Sequence, residues 1–167
     1  MRKLKKLFFA LPVLLLISCA VKVRTVTDSF YGTQYYQTDY VGISGWSYAI
    51  NFRFIADKEI TLHVLYKSSY SFTVSENDKI VLRFDDDTFI NLDYINDMPT
   101  VNIYTSSSGD IDSIYTINAT ARINNDIGTL TAIRIENSGG FRNLDVSKSF
   151  ANTFQKAYND IKNKINE

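Results

Sequence analysis

Apolar and polar residues alternate along much of the chain, which is the pattern of strands that bury one face. Between residues 46 and 54 every even position is large and apolar. The same parity resumes from Ile60 to Tyr66, after a polar turn at Asp57-Lys58. Two alternating runs around a short polar turn predict a β-hairpin.

The alternation returns at residues 70–75, 80–84 and 88–93. After Pro99 the pattern is less regular, and extended segments are expected at residues 101–105, 114–117, 130–136 and 141–146. Short polar turns separate most of them, including Asp85-Asp86-Asp87 and Ser138-Gly139-Gly140. Sequential hairpins of this kind predict a mainly β fold, either an antiparallel β-sandwich or an open barrel.

Two segments depart from the period of two. Asn118 is a favourable N-cap residue before a run of small residues, which predicts a short helix near residues 118–125. From residue 148 to 165, apolar side chains recur every three to four positions opposite a face rich in Lys and Asn. This pattern predicts an amphipathic C-terminal helix near residues 148–165. Ser147 is its expected N-cap.

The N-terminus has the zones of an export signal. Arg2, Lys3, Lys5 and Lys6 precede an apolar run over residues 7–17. That run is too short to cross a hydrocarbon core of about 30 Å as a helix. It ends in Leu16-Ile17-Ser18-Cys19, which resembles the lipobox of bacterial lipoproteins, where the cysteine thiol receives diacylglycerol.

The sequence therefore predicts a signal peptide over residues 1–18 that is removed, and lipidation of Cys19. Residues 19–24 are expected to form a short tether, and residues 25–167 a single β-rich domain with the C-terminal helix. The alternative is an ordinary secretory signal that happens to end in a cysteine. Cys19 is the only cysteine, so the exported chain cannot form an intramolecular disulfide, and lipid attachment gives the lone thiol a role.

Charge and localisation follow from this processing. The precursor balances 18 basic and 18 acidic residues, so loss of the four basic residues of the signal leaves a net charge of about −4. A mildly acidic chain has no general attraction for phosphate backbones, which disfavours nucleic acid as a partner. Ala20 stands at the position where an aspartate often signals inner-membrane retention. Because that aspartate is not there, the outer membrane of a bacterial cell envelope is favoured.

Few residues suit catalysis. His63 is the only histidine, and it lies on the polar parity of its segment, as an ordinary surface residue would. Without a second histidine or a free cysteine, the usual zinc ligands cannot be assembled. No G-x-S-x-G motif is present. We therefore expect neither an enzyme nor a cofactor.

Asp85, Asp86 and Asp87 form the densest group of carboxylates. Oxygen ligands of this kind suit calcium, and a pair of acids suits glycoside hydrolysis. Consecutive aspartates between two strands are also typical of a hairpin tip, because Asp stabilises turns. The turn is the favoured interpretation, with calcium as a weak alternative.

Aromatic residues are concentrated early in the predicted domain, at Tyr31, Tyr35, Tyr36, Tyr40 and Trp46. They are candidates for a platform that binds a glycan or a protein. The alternative is that they pack in strands and in the core, where aromatic residues are common.

Three segments carry a resemblance: Thr27-Asp28-Ser29-Phe30-Tyr31-Gly32, the run from Asp78 to Asp86, and Ala132-Ile133-Arg134-Ile135-Glu136. In their layout the chain resembles small uncharacterised bacterial lipoproteins with an antiparallel β-sandwich and a C-terminal helix. The resemblance implies a fold and no activity. The expected function is a lipid-anchored, non-enzymatic binding or structural module with a protein or glycan partner. A polysaccharide hydrolase with paired carboxylates and an inhibitor-type protein partner stay open as alternatives.

Overall fold

The computed structural model describes residues 21–105 and 109–167 of the chain. In these residues it has eleven strands and one helix. The strands are β1 (Val23–Thr27), β2 (Gln34–Thr38), β3 (Val41–Gly45), β4 (Tyr48–Ala56), β5 (Ile60–Ser68), β6 (Lys79–Phe84), β7 (Phe89–Tyr94), β8 (Thr100–Thr105), β9 (Ile111–Ile123), β10 (Leu130–Asn137) and β11 (Gly140–Asp145). The helix, α1, spans Lys148–Ile165.

All strand pairs are antiparallel and belong to one sheet, in the order β1-β2-β4-β5-β9-β7-β6-β10-β11. β3 also pairs with β4, and β8 also pairs with β9. β1 and β11 are the ends of this order and do not pair with each other. The sheet is therefore open and is not closed into a barrel.

Two long strands, β4 and β9, each pair with two successive strands along one of their edges. β4 pairs with β3 over its first half and with β2 at Ile55 and Ala56, and the register shifts by one residue between the two pairings. β9 pairs with β8 over residues 111–116 and with β7 at residues 119 and 120. Its other edge pairs with β5 from residue 115 to 123.

These registers define two ends of the sheet. The Trp46 end carries the links at residues 46–47, 69–78, 95–99 and 138–139 and the β8–β9 hairpin. The Asp57 end carries the turns at residues 28–33, 57–59, 85–88 and 124–129.

The helix covers the inner face of the sheet. Phe154 is fully buried, and its ring makes edge contacts with Phe52 and Phe54, at centroid distances of 5.4 and 5.1 Å. The helix contacts β1, β2, β3 and β4 near one end of the strand order and β10 near the other. It therefore lies across the opening of the sheet and completes the core.

The structure confirms the mainly β fold, the hairpin around residues 57–58 and the C-terminal helix. The helix has the expected bounds, and the Ser147 hydroxyl accepts a hydrogen bond from the Phe150 amide at 3.2 Å. The turn at residues 138–139 also joins two strands, and Gly140 after it has a φ of 101°. Such a backbone favours glycine.

The predicted short helix near residues 118–125 is wrong. Residues up to Ile123 belong to β9, and the segment that follows is irregular. Ile117, Ala119 and Ile123 are buried on one face of β9. Capping by Asn118 would satisfy only the backbone groups of one helix end. Pairing with β5 over nine residues instead provides hydrogen-bond partners along the whole segment when it is extended.

Residues 70–75 have the predicted alternation without the predicted strand. Phe72 and Val74 are buried, yet this segment forms no ladder. Thr73 instead exchanges bonds with Ser138: its amide donates to Ser138 Oγ at 3.0 Å, and its carbonyl accepts from the Ser138 amide at 2.9 Å.

The N-terminal region is only partly described. β1 begins at Val23 and pairs with β2, so the sheet extends into the predicted tether of residues 19–24. The predicted signal over residues 1–18, Cys19 and Ala20 lie outside the described residues, as do Ser106, Ser107 and Ser108 of a predicted loop. No helix of the described residues is both long enough and apolar enough to cross a membrane.

Candidate binding surfaces

The five aromatic residues predicted as a platform are divided between the two ends and the two faces of the sheet. Tyr31 lies in the β1–β2 turn at the Asp57 end, whereas Trp46 lies in the β3–β4 turn at the other end. The nine residues of β4 between these ends span about 30 Å at 3.3 Å per residue. One ligand therefore cannot contact Tyr31 and Trp46 unless it is as long as the sheet.

The three remaining tyrosines also separate. Tyr36 packs against the core, with Lys164 Nζ 6.0 Å from its ring centroid. Tyr35, its neighbour in β2, points to the opposite, outer face and is half-buried. Tyr40 lies in the β2–β3 link and is exposed. Tyr36 therefore fits the alternative that these aromatic residues pack in strands and in the core, and it does not belong to a binding surface.

Polar and aromatic side chains meet on the outer face, which is the face opposite α1. Arg53 lies over the Tyr40 ring, with its guanidinium carbon 3.8 Å from the centroid, and its Nη1 donates to Gln37 Oε1 at 3.2 Å. His63 is the direct partner of Arg53 in the β4–β5 register. We call Gln37, Tyr40, Arg53 and His63 the outer-face cluster.

His63 is half-buried, in contrast to the surface position expected from its parity alone. Together with Tyr35, it lines an open cleft of about 360 Å³. Burial lowers the pKa of His63, and the nearby Arg53 cation lowers that pKa further. At a given pH near its pKa the imidazole therefore carries less positive charge than a free histidine does.

The aspartate turn uses each of its three carboxylates within the chain. Asp85 accepts the Thr129 amide at 2.8 Å, Asp86 accepts the Thr88 amide at 3.1 Å and the Thr88 hydroxyl at 2.6 Å, and Asp87 pairs with Arg83 at 2.6 Å. Asp87 has a φ of 58°, so the left-handed position of this turn is taken by an aspartate. Within residues 21–105 and 109–167, no three His, Cys, Asp or Glu side chains converge as metal ligands would.

Two carboxylates, Glu59 and Asp126, line one open cleft of about 360 Å³ at the Asp57 end, together with Tyr158 and Lys162. Each is engaged by a cation: Glu59 pairs with Arg122 at 3.1 Å, and Asp126 pairs with Lys162. The hydrogen bond from Lys162 lowers the pKa of Asp126. A general acid of a glycosidase needs its pKa raised, so Asp126 is unsuited to that role.

The Trp46 end carries a groove of about 280 Å³ on the outer face. Trp46 and Tyr104 lie on its wall, and the full lining is Ser44, Gly45, Trp46, Ser47, Tyr48, Ala49, Lys67, Ser68, Ser69, Tyr104 and Ile114. Trp46 is 99% exposed, so its side chain packs against almost nothing in the fold. Large exposed apolar residues are concentrated around this end, namely Trp46, Tyr70, Ile95, Met98, Val101, Ile103, Tyr104 and Ile111.

Strand β8 forms one side of this region and was not singled out by the sequence. All six of its residues are exposed, and among the described strands it pairs only with β9. Its sequence, Thr-Val-Asn-Ile-Tyr-Thr, contains no charged residue. That lack of charge is the one signal that could have marked it in advance.

No protein-family model, no curated protein and no solved structure matches this chain.

Proposed function

We propose that this protein is a lipid-anchored, non-enzymatic module of the bacterial cell envelope that binds an extended segment of a protein partner along β8. One observation carries the proposal: β8 is an uncharged strand whose six residues are all exposed, and among the described strands only β9 pairs with it, which leaves one edge free. A free edge presents unpaired amides and carbonyls that can pair with another strand. Binding by strand addition uses this property, with main-chain hydrogen bonds for affinity and side-chain pockets for specificity.

The two end strands of the sheet contain charged residues, whereas β8 contains none. The end strand β1 contains Arg24, which forms an ion pair with Asp39 at 2.8 Å. The end strand β11 contains Arg142 and Asp145. Charged side chains protect an edge against unwanted pairing. β8 lacks this protection although β-branched and aromatic residues make up most of it.

The groove beside β8 provides the second component of such a site. Tyr104 projects from β8 to the outer face and lines the groove with Ile114 of β9 and the exposed Trp46. Val101 and Ile103 project to the other face. A strand added next to β8 would place alternate side chains on these two faces, because successive side chains of a strand point in opposite directions. The expected partner segment therefore has apolar residues at alternate positions.

The lipid anchor is supported by the sequence of the N-terminus. The run Leu16-Ile17-Ser18-Cys19 has the layout of a lipobox, and Ala20 favours the outer membrane. The two or three acyl chains of a bacterial lipoprotein would hold the domain firmly, since each buried CH₂ contributes about 0.8 kcal/mol. The domain would thus act at the membrane surface, with β8 available to proteins of the envelope.

Site-specific photo-crosslinking in intact cells tests the binding proposal. A photoreactive amino acid at Asn102 in β8 should give one discrete crosslinked protein, and the same probe at Thr25 in β1 should not. Ile103→Lys places a charge beside the free edge of β8 and should abolish the crosslink. Thr25→Lys, the matched change on the edge of β1, should leave it intact.

Three outcomes would overturn the proposal. The first is a crosslink at Asn102 that survives Ile103→Lys. The second is a crosslinked species that contains two copies of this chain, which would make β8 a self-association edge. The third is a species that digests with glycan-degrading enzymes, which would replace the protein partner by a glycan.

A further inference from the structure

The turn between β1 and β2, residues 28–33, presents two adjacent aromatic side chains that the fold does not use. Phe30 is 84% exposed and Tyr31 is 76% exposed. Their rings pack edge to face on each other, with centroids 4.8 Å apart. Two such side chains at the tip of a hairpin leave a large apolar area in water, which is unfavourable unless something covers it.

The tip is held in one conformation by its own hydrogen bonds. Asp28 Oδ1 accepts the amides of Phe30 and Tyr31 at 2.8 and 3.0 Å. The Asp28 carbonyl accepts the Gly32 amide at 2.8 Å, and Gly32 has a φ of 68°, which favours glycine. The exposure of the two rings is therefore built into the turn.

The position of the chain terminus indicates what covers the tip. The Lys22 carbonyl accepts the Asp39 amide at 3.0 Å, so the chain is fixed to the sheet by residue 22. Lys22 is three positions after Cys19 along the chain, and an extended chain of that length spans at most about 10 Å. From Lys22 to Asp28, at the start of the tip, the distance along β1 is about 20 Å. A domain held so close to a bilayer cannot turn freely. When β1 lies along the membrane surface, the tip meets that surface.

We propose that the β1–β2 tip is a second membrane contact, in which Phe30 and Tyr31 enter the interfacial region of the bilayer that holds the lipid anchor. This inference rests on the proposed lipid attachment at Cys19. Aromatic rings favour the membrane–water interface, where their apolar bodies leave water near the headgroups. The contact would fix the orientation of the domain.

The tip itself carries little charge that would oppose contact with anionic lipids. The turn at residues 28–33 has one charged residue, Asp28, whose carboxylate is occupied by backbone amides. The contact leaves β8 and the Trp46 groove at the opposite end of the sheet from the tip.

The single tryptophan of the chain provides the test. Full-length lipidated protein is reconstituted into vesicles of phosphatidylethanolamine and phosphatidylglycerol that contain phosphatidylcholine brominated near the headgroup. In the wild type, fluorescence reports on Trp46; in the double variant Trp46→Phe/Tyr31→Trp it reports on the tip. We expect the brominated lipid to quench most of the fluorescence of the tryptophan introduced at position 31, and to leave that of Trp46 nearly unchanged.

Flotation of the same samples separates the two proposals. If both proteins float with the vesicles and the tryptophan at position 31 is not quenched, or Trp46 is quenched instead, the tip contact is wrong and the lipid anchor stands. If neither protein floats, the lipid anchor is wrong and the tip contact fails with it.

Discussion

Arg53 lies over the ring of Tyr40, with its guanidinium carbon 3.8 Å from the ring centroid. The two side chains meet where the pairing register of β4 changes by one residue, between its partners β2 and β3. An extra residue leaves a ladder locally unpaired. The stacked pair bridges this interruption, because Tyr40 lies in the link and Arg53 lies in β4.

A double-mutant cycle measures that pair. Tyr40→Ala, Arg53→Gln and the combined variant should show a coupling free energy of about 0.5–1 kcal/mol in urea unfolding, as expected for a cation–π contact near the surface. Tyr70→Ala, which removes another exposed tyrosine, should show no coupling to Arg53→Gln. Additive effects of Tyr40→Ala and Arg53→Gln would contradict a stabilising role for the stack.

His63 should make the folded state pH-dependent in mildly acidic solution. Burial and the Arg53 cation hold its pKa below the ordinary value of 6.5. Below that value the unfolded chain takes up a proton before the folded chain does, so the free energy of unfolding falls as the pH falls. Urea titrations between about pH 7 and about pH 5 should show this decline. His63→Gln should reduce the slope; an unchanged slope would assign the effect to other groups.

Phe154 is expected to be among the most costly positions to truncate. Its ring is fully buried against Phe52 and Phe54, so Phe154→Ala should lower the free energy of unfolding by about 3–5 kcal/mol. Asn152→Ala, at an exposed position of the same helix, should change it by no more than about 0.5 kcal/mol. A small loss at Phe154 would mean that the helix is not docked on the sheet.

The aspartate turn should stabilise the fold without calcium. Asp85→Ala removes the acceptor of the Thr129 amide and should cost about 1 kcal/mol. Asp145→Ala, at an exposed position on β11, serves as the matched control, with a change within about 0.5 kcal/mol. Calcium and a chelator should leave the melting temperature of the wild type unchanged. A rise in melting temperature with calcium that Asp85→Ala abolishes would instead establish a metal site.

The proposed lipid anchor predicts a change of compartment for one substitution. Cys19→Ser removes the only thiol, so the protein should lose incorporated radiolabelled palmitate and move from the membrane fraction to the soluble fraction. Ser69→Ala, a change at an exposed position of the domain, should alter neither measurement. Retention of Cys19→Ser in the membrane, with no label in the wild type, would refute the anchor.

Much of the fold was predictable because its patterns are local. The even-numbered apolar positions of β4 and β5 all face the core, and the spacing of Phe150, Phe154, Tyr158 and Ile161 placed the helix correctly. Asn118 suggests a helix because its capping chemistry is local, whereas β9 is determined by apolar parity and by pairing with β5. The odd-numbered positions of this segment are apolar, as in a strand with one buried face: Tyr115, Ile117, Ala119 and Ile123. The small alanine side chains among them make this alternation hard to recognise.

The candidate site was less predictable because it depends on non-local pairing. Neighbouring aromatic residues in the sequence, Tyr31 to Trp46, are separated in space by the order and direction of β2, β3 and β4. The free edge of β8 is also a property of the whole sheet. It exists because β8 pairs with β9 on one side, and no described strand pairs with its other side.

The place of α1 after all eleven described strands determines when the core can be completed. The aromatic side chains of this helix pack between β1–β4 and β10, and they are synthesised after every one of those strands. A nascent chain that stops short of α1 lacks these side chains and keeps an incomplete interior. Docking of α1 is therefore the step that closes the core.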